Sequence, residues 1–311
     1  MLENPGDDKS YVNYPAPDSN GERPQAMAWD EYERLVLSEW NELLAQDPDE
    51  PLVQSFLELH PAMVPGGSGD IGPGGNHGAE LGALYSQPRL KGSGNEFEPD
   101  FMWVTRSSDL ITPIVIEIEK PSKKWFNQNG DPMASFTQAQ GQLNNWRAWF
   151  SREANSGIFR ERFLHQDQFR HRKLQPHFVL IYGRHSEFQP EGGHKDYNSL
   201  LYKRSGLSRP DETFLSFDSL VPRFDHANSM TVKVRPNGLE AWAFSPVYQT
   251  DADTGEDAHL VHNVEEAMAR SVMIAEHRKS YLLDRIRYWR DFELKRLSQG
   301  QRKGIRSLIR E

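Results

Sequence analysis

Asp100, Glu117 and Glu119 are three carboxylates set among apolar residues near the middle of the chain, and Lys120, Lys123 and Lys124 follow at once. Asp100 comes after Pro99 at the head of one β-type run. The two glutamates stand in the next run, Ile114-Val115-Ile116-Glu117-Ile118-Glu119-Lys120-Pro121. In a strand, residues i and i+2 point to one face. Glu117 and Glu119 therefore share a face with Val115, while Ile114, Ile116 and Ile118 take the other. Carboxylates on an apolar strand cost free energy unless something positive meets them. A divalent cation is the natural candidate, because Mg²⁺ is held by a few carboxylates together with water and phosphate oxygens. The chemistry open to such a site is phosphodiester hydrolysis, in which a metal activates water and neutral or positive groups stabilise charge at phosphorus. Each residue also has an ordinary explanation. Glu117 and Glu119 could pair with lysines on an edge strand, and Asp100 could cap a turn. Gln142 could be a helix-surface residue, Trp146 a core residue, and Arg184 a solvated charge at a strand end.

The elements that must position these groups can be read from periodicity. Phe101 to Thr105 is a strand, Ser107-Ser108-Asp109 supplies turn chemistry, and Pro113 to Glu119 is the next strand. Such a hairpin brings Asp100 to the far end of the acidic strand. Residues 122–132 form a polar loop. Ala134 to Phe150 is a long amphipathic helix, with Phe136, Ala139, Leu143, Trp146 and Phe150 at spacings of three and four. Phe178 to Tyr182 is a short continuous apolar run, hence a buried strand, closed by Gly183-Arg184. Upstream, Asp30 to Ala45 and Leu52 to Leu59 are helices separated by Pro48 and Pro51. The order is helix, strand, strand, helix, strand, with room for one more strand near Leu84 to Leu90. A mixed sheet flanked by helices follows, an α/β class.

Between them, residues 65–95 hold ten glycines. This is not a Walker phosphate cradle, since no Gly-Lys-Ser/Thr follows. It reads as irregular chain, and His77 within it reads as solvated. Downstream, Phe214 to Phe217 is a short strand. Thr231 to Val234 and Leu239 to Phe244 flank Pro236-Asn237-Gly238, a hairpin signal. An acidic loop from Asp251 to Asp257 leads to a helix over about Val264 to Leu297, striped by Leu282, Ile286, Trp289 and Phe292.

The chain has 311 residues, a net charge of −9, 26% charged and 37% hydrophobic residues, and a mean hydropathy of −0.74. That suffices for one large domain or two ordinary ones. Charge is uneven: residues 1–50 hold 13 acids against 3 bases, and residues 270–311 hold 12 bases against 5 acids. Overall acidity argues against indiscriminate nucleic-acid binding, yet a local basic face can still track phosphates. With no cysteine, disulfide, thiolate–zinc and cysteine-nucleophile readings fall away. The start of the chain is acidic and lacks the apolar run of a signal peptide. No stretch is long and apolar enough for a membrane span, so a cytoplasmic protein is expected.

Asp100, then Glu117-x-Glu119-Lys120, then Gln142 and Trp146 one turn apart on the next helix, resembles the PD-(D/E)XK nuclease superfamily, some branches of which carry a Gln-x-x-x-Tyr helix. The resemblance is closer to the Shedu-type antiphage defence nucleases, the family with the DUF4263 domain. It is carried by Glu98-Pro99-Asp100-Phe101, Ile116 to Pro121, Gln138-Ala139 with Gln142-Leu143, and Leu180-Ile181-Tyr182-Gly183-Arg184. What it implies is a restriction-endonuclease-like αβββαβ core over residues 29–190, with a leader at 1–28. Residues 191–311 would be an accessory region with a β-hairpin and a basic C-terminal helix. Asp100, Glu117 and Glu119 would ligate Mg²⁺ or Mn²⁺. Glu119 stands where the commonest pattern has lysine, and Lys120 falls on the opposite face of the pleat. Lys120 would neutralise the phosphate and Gln142 would orient water, substrate or the acidic strand. Lys123, Lys124 and Arg184 would contact nucleic acid. The implied activity is Mg²⁺-dependent cleavage or nicking of DNA in antiphage defence, by a homo-oligomer that answers to a phage-derived trigger. Two other readings stay open: a degenerate nuclease fold that binds DNA without cutting, and an oligomeric interaction protein with no nucleic-acid role.

Overall fold

The computed structural model describes residues 23–74, 77–165, 169–250 and 258–299. Most of the expected leader and the acidic loop Asp251 to Asp257 lie outside the described residues. Two helices come first, α1 (Trp29–Ala45) and α2 (Glu50–Leu59). The four-residue rhythm of α1 buries Tyr32, Val36, Trp40 and Leu44. Pro51 sits in the first turn of α2, where a missing N–H breaks no helical hydrogen bond.

Next come β1 (Ala79–Ser86), β2 (Phe101–Arg106) and β3 (Leu110–Ile118), an antiparallel meander. The β2–β3 turn closes as its serines predict: the Ser107 N–H donates to Leu110 O at 2.9 Å, and the Leu110 N–H to Ser107 Oγ at 3.1 Å. Helices α3 (Ala134–Phe150) and α4 (Glu153–Phe163) lead to β4 (Lys173–Leu174) and β5 (His177–Ile181). Then follow α5 (Tyr197–Leu207), β6 (Glu212–Leu215), β7 (Met230–Arg235), β8 (Gly238–Phe244), β9 (Val261–His262), α6 (Val264–Arg270) and α7 (Glu276–Ser298).

All nine strands join one mixed sheet, ordered β6-β5-β3-β2-β1-β7-β8-β9, with β4 also pairing β3. The sheet runs through residue 190 without interruption, because β6 continues it beside β5 and β7 pairs in parallel with β1. Its two faces carry separate cores. Met102, Val115, Phe178 and Leu180 pack with Phe136, Ala139, Leu143 and Trp146 of α3 on one face. Phe101, Trp103, Ile114, Ile116 and Ile118 pack with α1 and α2 on the other. Each such fully buried side chain contributes about 1.5–3 kcal/mol, so strand β3 is fixed from both sides. The alternation read from sequence is therefore the alternation observed.

Three differences have local causes. The glycine-rich run over 65–95 is not irregular throughout: Ala79–Ser86 within it is strand β1, paired on both sides, and its first part is packed, with Gly66 against β3, where an added Cβ would sit 2.7 Å from Ile114 Cγ2. Helices α4 and α5 are absent from the periodicity reading, because their polar composition leaves only Asn155, Phe159 and Phe163 buried on α4 and Leu200 on α5. The expected single helix over Val264 to Leu297 is two helices. Ser271 ends α6 by donating its hydroxyl to Ala267 O at 2.9 Å while accepting the N–H of Phe244 at 2.9 Å.

Helix α3 is tied to β6 by one guanidinium. Arg147 donates to both oxygens of Asp211, at 2.7 and 3.0 Å, and to Glu212, whose side chain is fully buried. Removing the cation strands a buried carboxylate, a loss of about 3 kcal/mol. Arg147→Met is expected to lower Tm by roughly 6–12 °C, read in a thermal melt at neutral pH. An unchanged Tm would show that the pair adds nothing.

Candidate active site

The antiparallel register pairs Phe101 with Ile116. One step further it sets Asp100 opposite Glu117, on the face shared with Met102, Val115 and α3. The Asp100 carboxylate turns back into the ladder, and its Oδ2 accepts the N–H of Ile118 at 2.8 Å. The backbone of Asp100 is held equally firmly: its carbonyl accepts the N–H of Gln87 at 2.8 Å and the Gln54 amide at 3.3 Å. The residue after β1, strand β3 and helix α2 thus position one acid.

The Asp100 and Glu117 carboxyls lie close enough for each to act on the other's ionisation. Burial is the main force on both. It pushes Asp100 up to about 7, helped by the charges of Glu50 and Glu119 and opposed by the Ile118 N–H. It raises Glu117 well above the usual carboxylate range, with Asp100, Glu119 and Glu50 adding to the effect. Glu50, at the start of α2, is itself raised, first by burial and then by Glu119. Four acids therefore crowd one end of the β2–β3 pair. Carboxyls held together in this way await a cation or a proton.

Glu119 is buried and forms an ion pair with Lys123. The loop bearing Lys123 is anchored by Glu187, which accepts the N–H groups of Trp125 and Phe126 at 2.9 and 3.0 Å. Gly183 closes the other side. Its φ is +61°, and an added Cβ would lie 2.6 Å from Lys123 O. Lys120 takes the opposite face, as the pleat requires, and meets Asp47 at 3.4 Å. So the ammonium beside the acids belongs to Lys123.

The remaining expected residues make no hydrogen bond or ion pair with the acids among the described residues. The Gln142 side chain makes no hydrogen bond among the described residues. It lies seven residues, about 10 Å of helix, beyond Ser135, whose hydroxyl meets Tyr182 OH at 2.8 Å near the acidic end of the sheet. Lys124 is exposed. Arg184 is engaged elsewhere, donating to Asp218 at 2.7 Å and to Leu44 O at 3.0 Å. The sequence reading missed Glu50, Gln54 and Gln87. All three reach the site from distant segments, and no local motif marks them.

Among the described residues, no group of three or more His, Cys, Asp or Glu side chains is placed to hold a metal ion, so Asp100, Glu117 and Glu119 do not converge as the expected trio of ligands. The donor set is instead a pair, Asp100 with Glu117, bordered by Glu50 and by the Glu119–Lys123 pair. That set fits Mg²⁺ or Mn²⁺, which use one or two carboxylates and complete their shell with water and substrate phosphate. It does not fit zinc in a closed structural site.

A family model described as Shedu protein SduA, C-terminal, matches residues 47–221, which span α2 through β6 and include every acid of the cluster. No curated protein and no solved structure matches the chain significantly.

Proposed function

From the premise that the chain belongs to the Shedu protein SduA family, matched over its C-terminal model, and so to antiphage defence, we propose that it is a metal-dependent nuclease that cleaves or nicks DNA. The observation that carries this reading is the Asp100–Glu117 pair: two carboxyls side by side, both raised by burial, at the end of a sheet braced on both faces. We place the core with the PD-(D/E)XK nucleases on the same ground.

In this reading Asp100 and Glu117 hold Mg²⁺ or Mn²⁺, which supplies an activated water and Lewis-acid stabilisation of the phosphoryl oxygens. Asp100 is oriented by the Ile118 N–H. Glu119 keeps the Lys123 ammonium at the site, where it can stabilise charge on the scissile phosphate. Glu50 adds negative potential that favours the cation. The test is relaxation of supercoiled plasmid by the purified chain with Mg²⁺ or Mn²⁺, compared with the same reaction in EDTA. No cleavage under any metal condition would leave the second reading, a protein that binds DNA without cutting. The closure of Glu119 by Lys123 is the feature that favours that alternative.

The two lysines separate cleanly. Lys123→Met is expected to slow cleavage by about a hundredfold, the usual effect of removing one transition-state stabiliser. Lys120→Met, which loses only an exposed pair with Asp47, should stay within about threefold. Initial nicking rates at saturating metal measure both. Equal losses would place the catalytic cation elsewhere. We also propose that the chain assembles with copies of itself, supported by Leu294 and Leu297 exposed on α7. Sedimentation of wild type against Leu294→Glu tests this.

A further inference from the structure

Beside the acids, at the same end of the sheet, lies a cavity of about 840 Å³ whose lining residues include five lysines and arginines and one acid, Glu98. Four of the cations have partners: Arg89 with Glu98 at 2.8 Å, Lys91 with Glu96 at 3.7 Å, Lys233 with Glu58 at 2.9 Å and Arg235 with Glu240 at 2.9 Å. Arg162, half-buried at the end of α4, forms no ion pair among the described residues. Burial disfavours its charge, and the neighbouring Arg89 guanidinium adds to this while Glu96 opposes it. A guanidinium beside another one, with no ion-paired carboxylate, has donors free for an anion supplied from outside.

The position of the cavity names the anion. Gln87 lines it and also donates its N–H to Asp100 O at 2.8 Å. The pairing of Tyr85 with Val232 sets Lys233 beside Ser86, on β7. Strand β7 lies two strand spacings, about 10 Å, from β2 and its acid. That distance is the axial rise of roughly three nucleotides in one DNA strand. We propose that this cavity is a phosphate-tracking subsite for the DNA strand that enters the acid cluster, with Arg162 as its principal phosphate contact.

The inference rests on the nuclease reading, and the experiment separates the two. Binding of a short duplex oligonucleotide is measured by fluorescence anisotropy without metal, over a range of salt, for the full chain and for Arg162→Ala and Arg162→Lys. Arg162→Ala should bind about five- to tenfold more weakly, with the slope of log K against log salt reduced by about one. Arg162→Lys should keep most of the affinity and slope. If Arg162→Ala melts early, Lys91→Ala at the rim is expected to show the same loss in smaller degree. Unchanged affinity and slope in these variants overturn the proposal, as does a wild type that binds no DNA. A second arm titrates orthophosphate. Phosphate binding that needs Arg162, together with unaltered DNA affinity in Arg162→Ala, would make this a small-anion site and overturn the strand assignment. Arg162-dependent DNA binding by a wild type that never cuts would sink the nuclease reading and leave the subsite standing. Cleavage that is indifferent to Arg162 would do the reverse.

Discussion

Glu117→Gln is expected to lower DNA cleavage by about a thousandfold or more while leaving the fold intact. The side chains are nearly isosteric, so β3 keeps its packing against Met102, Val115 and α3. The charge that would hold the cation is gone, and Gln cannot replace a carboxylate toward a hard metal. Loss of one ligand that also orients the attacking water removes several kcal/mol of transition-state stabilisation, and each 1.36 kcal/mol is about tenfold in rate. Single-turnover plasmid nicking measures the effect. Retention of a tenth of the wild-type rate would exclude Glu117 as a metal-holding residue. A readout independent of activity accompanies it. Mn²⁺ should raise the Tm of wild type, by mass action on the folded state, and should fail to raise that of Glu117→Gln.

The second large effect is on stability against pH without metal. Asp100 is pushed up to about 7, and Glu117 is raised well above its usual range. Both ionise near 4 in the unfolded chain. The folded state therefore holds more protons than the unfolded state from about pH 4 upward, and its stability falls as pH rises through the folded values. Metal-free wild type should lose stability from about pH 4 upward through about pH 7. Asp100→Asn, which keeps its hydrogen-bonding shape without the charge, should be more stable than wild type at pH 8 by about 2 kcal/mol, or roughly 4–8 °C in Tm. At pH 4 and below, where Asp100 is protonated in the unfolded chain as well as in the folded one, the gain should vanish. A variant less stable than wild type at pH 8 would show that these acids are not held against their own repulsion. Saturating Mn²⁺ should reverse the order at pH 8, since only wild type gains from binding.

The acid cluster was legible because its geometry is local. Period-2 alternation placed Glu117 and Glu119 on the face of Val115, and the Ser107 turn chemistry set the hairpin that brings Asp100 across from Glu117. The helix facing them was equally plain, since α3 runs from Ala134 to Phe150 as its apolar spacing requires. Glu50 and Gln54 were not legible. They reach Asp100 across about fifty residues of chain, and no spacing rule connects them. The choice between Lys120 and Lys123 needed the loop: a pleat excludes Lys120, but only the Gly183 turn and the Glu187 anchor aim Lys123 back at Glu119. Helices α4 and α5 escaped because few of their residues are buried, so periodicity had little to report.

The match to the family model ends at residue 221, but the sheet does not. Strand β7 supplies the parallel partner of β1 at Ala83, Leu84 and Tyr85. Excision at the family boundary would leave β1 as a raw edge of unpaired N–H and C=O groups over buried residues, a template for pairing with other chains. The C-terminal third is thus stitched to the strand next to Asp100. Whatever grips α6 or α7 from outside also has hold, through β8 and β7, of the strand that backs the acids.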